Sequence, residues 1–71
     1  MAKKPSLSAH LRDARIKRGL SVAEIAEGAG VSAASIYLWE TGKHTPREAN
    51  LSALCKVLKL PIRATREMAV G

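Results

Sequence analysis

Leu7, Leu11 and Ala14 recur at helical spacing, and Gly19 follows where a left-handed C-terminal cap would end the segment near Arg18. A first helix over about residues 7 to 18 is predicted. The next start signal is SVAE, in which the Ser21 hydroxyl can accept from the Glu24 amide while the Glu24 carboxylate reaches back to the Ser21 amide, a capping box. This predicts a second helix from Val22 to about Gly28. Gly30 can take the positive φ of a tight reversal, and Ser32 can cap a third helix running to Glu40 or Thr41, with Gly42 as its stop. TPRE reads as another capping box: Thr45 caps, Pro46 takes the first helical position where its missing N–H is harmless, and Glu48 closes the box. Leu51, Leu54, Cys55 and Leu58 then share one apolar face until Pro61 ends the fourth helix, and Ile62 to Met68 add a final short turn. No period-two alternation is sustained, and there is no Phe and no Asn-Gly or Asp-Gly hairpin dipeptide. The chain is expected to be all-α, with a loose arm over Met1 to Ser6 and one domain over residues 7–71.

Composition narrows the class of partner. A 71-residue chain buries only about 60% of its unfolded surface, which leaves no room for a large enclosed active site. Twelve Lys and Arg against six Asp and Glu give a net charge of +6. That balance favours a polyanion, either nucleic acid or an anionic membrane surface, over the plainer reading of mere solubility. The longest uncharged run, Gly28 to Trp39, has 12 residues, well short of the roughly 20 that cross a bilayer. No transmembrane helix is expected. The start, MAKKPSLSAHLRD, lacks the apolar stretch of a secretory signal, and a single cysteine cannot form an internal disulfide, so a reducing cytoplasm fits best. His10 and His44 have no partners at metal-ligand spacing, and neither a nucleophile motif nor a Gly-rich phosphate loop is present. No metal, cofactor or catalytic site is expected.

Two short helices joined by three or four residues including a Gly describe a helix-turn-helix, whose second helix enters the DNA major groove. Such a unit needs a small residue where the helices cross, a Gly at the turn and an inward apolar residue on the second helix. Ala26, Gly30 and Ile36 stand at compatible positions.

On LRDARIKRGLSVAEIA, GVSAASIYLWETGK, TP and LSALCKVLKLPI, about Leu11 to Ile62, the chain resembles the phage repressor and Cro-like DNA-binding domains, also found in xenobiotic-response-element-type bacterial regulators. The resemblance implies a compact five-helix lambda-repressor-like domain, with Ala33 to Glu40 as recognition helix and a symmetric homodimer on an inverted-repeat operator in double-stranded DNA. It also places Arg15 and Glu40 on the family's ion pair between the first helix and the end of the third. It does not choose among phage repressor, restriction-modification controller, antitoxin autorepressor and other regulators.

In such domains the first turn of the recognition helix faces the bases, commonly through Gln, Arg, Asn or Lys. Ala33 and Ala34 depart from that habit: a methyl can touch a thymine methyl but cannot make a bidentate hydrogen bond. Tyr37 is the only long hydrogen-bonding side chain left on that face, with Ser35 beside it. Ser32, Lys43, His44 and Arg47 are the expected phosphate contacts, together with free amides at the N-termini of helices two, at Val22, and four. Lys3 and Lys4 read first as a solvated tail, and only secondarily as an arm on DNA. Trp39, on the Ile36 side of its helix, and Cys55, between Leu51 and Leu58, are expected in the core, the latter as an inert thiol. Tyr37 has its own plainer reading as a lone surface aromatic.

One recognition helix gives too little affinity alone, so dimerisation is expected through Leu60, Ile62, Met68 and Val70, which have little core left to fill. The rival class is a protein-interaction module, an antitoxin or adaptor with this fold and weak sequence readout. The weakly polar first turn is its best support.

Overall fold

The computed structural model describes residues 6–70, the side chain of Val70 excepted. It is all-α: α1 (Leu7–Lys17), α2 (Val22–Ala29), α3 (Ala33–Glu40), α4 (Glu48–Leu58) and α5 (Ile62–Val70). The expected arm lies outside the described residues except for Ser6. Ser6 belongs to the domain instead, because its hydroxyl accepts the Ala9 amide and caps α1.

Each start and stop in the first half has a local cause. Arg18 is the C-cap of α1, and Gly19 follows at φ 65°, the left-handed conformation that lets the chain turn away without a Cβ clash. The Ser21 and Glu24 box forms in both directions, at 3.1 Å from the Glu24 amide to Ser21 Oγ and 2.9 Å from the Ser21 amide to Glu24 Oε1. The bond from the Ser21 amide, with the Ser21 hydroxyl beside it, holds the Glu24 carboxylate below its ordinary pKa. Gly30 caps α2 at φ 71°, and only Gly30, Val31 and Ser32 separate α2 from α3.

The second half departs from expectation at two points. The TPRE box does not form. The N-cap of α4 is Arg47, without a side-chain cap bond, and the helix begins at Glu48. Pro46 is buried in the non-helical segment before it, so packing of its ring takes precedence over the first helical position that propensity alone assigns. Nor does Pro61 end α4. The helix stops at Leu58, and Lys59 turns the chain at φ 53°. Ile62 then opens a nine-residue helix rather than a short turn, which the buried Thr65 anchors by donating to the Pro61 carbonyl at 2.8 Å.

A left-handed conformation costs an L-residue on the order of 1 kcal/mol that glycine avoids. Lys59→Gly is therefore expected to stabilise the domain by about 1 kcal/mol in a denaturant titration. An unchanged midpoint would show that Lys59 is not strained.

Leu11, Ile25, Ala26, Ile36, Trp39, Leu54 and Leu58 make one buried cluster. Leu51 and Cys55 are buried as well. The helix crossing depends on small residues: Ala26 is 6% exposed, and a Cβ added to Gly28 would stand 3.1 Å from Val57 Cγ2, so α2 lies close against α4. Leu60 packs partly against the same cluster. It does have core to fill, contrary to the expectation that left it free for a partner. Ile62 and Met68 are half-buried, and the Val70 side chain lies outside the described residues.

Candidate nucleic-acid interface

α3 divides its residues sharply between two faces. Ile36 and Trp39 are buried, whereas Ala33, Ala34 and Tyr37 are exposed, Tyr37 by 58%. The inward pair anchors the helix by hydrophobic burial, so the residues one step around must face solvent. Among the described residues the large exposed apolar side chains are Tyr37 and Ile16. Nothing in the sequence marks Ile16, since a helical position next to Arg15 and Lys17 gives no sign of which way it faces.

Ser32 caps α3 by accepting the Ser35 amide at 3.2 Å, and the two hydroxyl oxygens lie 3.0 Å apart. One hydroxyl proton is shared between them. The other remains free to be donated, and both oxygens sit at the first turn of the exposed face. At the opposite end, Thr41 Oγ1 donates to the Tyr37 carbonyl at 2.7 Å and closes the last turn.

α3 is held in place by Arg15. Its Nε donates to Glu40 Oε2 at 2.7 Å and its Nη2 to Glu40 Oε1 at 3.0 Å, a two-pronged pair. The third nitrogen, Nη1, donates to the Leu20 carbonyl at 3.0 Å. One guanidinium thus ties α1, the turn before α2 and the end of α3 together. The side chains are only 17% and 8% exposed, and the bond to Glu40 raises the pKa of Arg15 above its ordinary value.

Lys43, His44 and Arg47 are all exposed in the segment between α3 and α4. That segment, residues 41–47, contains no acid. The first amides of α4 have no intrahelical partner, and Arg47 gives them no side-chain cap bond. At α2 the box occupies the amides of Ser21 and Glu24, and the Val22 amide remains. The Val22 side chain itself turns inward and packs on the core. Two ties were not visible in the sequence. Arg18 Nε donates to the Leu58 carbonyl at 2.6 Å, closing the end of α4 from α1, and Arg66 pairs with Glu48. Separations of 40 and 18 residues carry no periodic signal.

The comparisons agree with this geometry. No curated protein matches the sequence. Among solved structures, the clp gene regulator ClgR from Corynebacterium glutamicum superposes with a TM-score of 0.79 at 28% identity, covering 92% of this chain and 69% of that one. The master regulator for biofilm formation SinR, in complex with DNA, gives 0.78 at 24% identity, covering 84% of this chain and 97% of the chain in that structure. In the complex of SinR with SinI the score is 0.77 at 25% identity, over 83% of this chain and 58% of that one. The fold is that of lambda-repressor-like helix-turn-helix domains. The model of the helix-turn-helix domain family matches residues 6–68, nearly the whole of the described chain, and the protein belongs to that family.

Proposed function

We propose that this protein is a sequence-specific DNA-binding transcription regulator, a repressor that binds an inverted-repeat operator as a homodimer. The observation that carries the reading is the division of α3. Its inner face is locked by Ile36, Trp39 and the Arg15–Glu40 pair, and its outer face is left open beside an acid-free basic segment. Rigid support and an open face are what insertion into a major groove requires, and flanking cations supply the phosphate attraction that dominates affinity. In this account Ala33 and Ala34 let the helix approach thymine methyls. Tyr37 and Ser35 make directed base contacts, while Ser32, Lys43, His44, Arg47 and the Val22 amide hold phosphates.

Ile62 and Met68 on α5 are the dimer surface, with Leu60 contributing only its outer edge. A dimer would set two recognition helices about 34 Å apart, one turn of DNA. Sedimentation that shows a monomer both free and on a full operator would remove this part of the proposal. Among the described residues no helix is long and apolar enough to cross a membrane. A regulator of this kind acts where the DNA is, in the cytoplasm. A second reading, a module that mainly binds another protein, draws support from the methyl-lined first turn of α3 and from the pairing of SinR with SinI in a protein complex.

The basic segment provides a direct test of the DNA reading. Lys43→Ala is expected to weaken binding to all duplexes alike and to lower the slope of log K against log salt by about one. Titration of a random-sequence duplex at two salt concentrations measures both. Wild-type protein with no salt-dependent duplex binding would refute the DNA reading and favour the protein-binding one.

A further inference from the structure

Glu48 is the acid nearest in sequence to the proposed phosphate grip, because it is the first residue of α4 and follows Arg47 directly. Its position creates a conflict. A carboxylate in the first turn of a helix is attracted by that helix's free amides, and a DNA phosphate at the same place would need those same amides and would be repelled by the carboxylate. At α2 this self-capping takes place, with Glu24 folded back onto the Ser21 amide. At α4 it does not. Glu48 Oε1 instead accepts from Arg66 of α5, at 2.6 Å from Nε and 2.5 Å from Nη2. Among the described residues no backbone amide donates to Glu48 in exchange.

We infer that Arg66 is a positioning residue for DNA binding: it draws the Glu48 carboxylate away from the start of α4 and neutralises it, leaving the α4 amides and Arg47 open to a phosphate. The inference rests on the DNA reading above. Three features of the pair favour this role over a stabilising one. Both side chains are exposed, at 47% and 58%, and an ion pair in water adds little to stability. The contact joins two helices that already pack against each other, each with buried residues of its own, Leu51, Leu54, Cys55 and Leu58 on one and Thr65 on the other. Arg66 itself lies on α5, 18 residues along the chain from Glu48 and on none of the elements that carry the proposed DNA contacts. The bond to Glu48 also raises the pKa of Arg66.

The test is a charge cycle in the full chain, read as affinity for a random-sequence duplex at low salt and as the salt slope. Arg66→Ala is expected to weaken binding by about threefold to tenfold and to reduce the salt slope by about one, since it exposes a carboxylate charge at the phosphate grip. Glu48→Gln alone should bind as well as wild type or better. Glu48→Gln combined with Arg66→Ala should return to wild-type affinity, and Arg66→Lys should keep it. Thermal melts of all four variants should nearly coincide, and Arg66→Gln replaces Arg66→Ala if the latter melts early. A double variant as weak as Arg66→Ala would overturn the inference, showing that Arg66 itself holds DNA without regard to Glu48. An Arg66→Ala protein that binds as wild type does would overturn it too. In both cases wild-type binding persists and the DNA reading stands. Absence of duplex binding by the wild type would end both.

Discussion

Glu40→Gln is expected to destabilise the domain by about 3 kcal/mol, because it leaves the Arg15 guanidinium mostly buried with no anion to balance it. In a small domain whose total stability is on the order of 5 kcal/mol, a thermal melt should fall by roughly 10 °C or more. The geometry sharpens the expectation. Arg15 reaches Glu40 with two nitrogens and the Leu20 carbonyl with the third, so losing the acid also loosens the hold on the turn that precedes α2. Replacing both partners with apolar residues, as in Arg15→Met with Glu40→Leu, should restore much of the loss, since no charge is then left stranded. DNA binding by that double variant reports on the second role of the pair, the placement of α3. If Glu40→Gln melts at the wild-type temperature, the pair is not structural and α3 is held by Ile36 and Trp39 alone.

Tyr37→Ala is expected to lose discrimination at one base pair of each half-site, by about 1–3 kcal/mol, without altering the salt slope. Tyr37 is 58% exposed on α3, and on the proposed base-facing surface it carries the one long hydrogen-bonding side chain. The rest of that surface is made of methyls and two hydroxyls. Specificity should therefore spread over thymine methyls and over base pairs that are bent without being touched, and uracil in place of thymine at a central half-site position should weaken binding. The contrast with Lys43→Ala separates reading from holding. Should Tyr37→Ala leave the preferred sequence as it was, and uracil have no effect across the half-site, α3 does not read bases.

Much of this architecture is legible in the residues before any coordinates. Gly19 and Gly30 take positive φ where the turns were expected, and the Ser21 and Glu24 box forms. Such signals are reliable because each is local: a hydroxyl three residues from an amide, or a backbone conformation that only glycine adopts cheaply. Trp39 and Cys55 are also where helical periodicity put them. The misreadings share the opposite cause. Thr45 and Pro46 carry a helix-start signal as strong as that of Ser21, but burial of the Pro46 ring, a tertiary effect, moved the start of α4 to Glu48. Lys59 turns the chain with no glycine to announce it, and α5 is a full helix because it packs against α4 and α1. Of the proposed interface, the open face of α3 and the basic segment after it are what the resemblance to repressor and Cro-like domains implies at those positions. The tie from Arg66 to Glu48 could not be read in the sequence, because it exists only once α5 has docked.

Whether this helix-turn-helix reads sequence is decided by selecting bound duplexes from a random pool and competing the enriched site against bulk DNA at matched salt. A two-fold-symmetric site is expected, with half-sites one helical turn apart, that outcompetes bulk DNA by roughly a thousandfold or more. Enrichment of no common site, with all duplexes bound within about tenfold of one another and with the same salt slope, would contradict sequence readout and leave a protein partner as the better reading of the open face of α3.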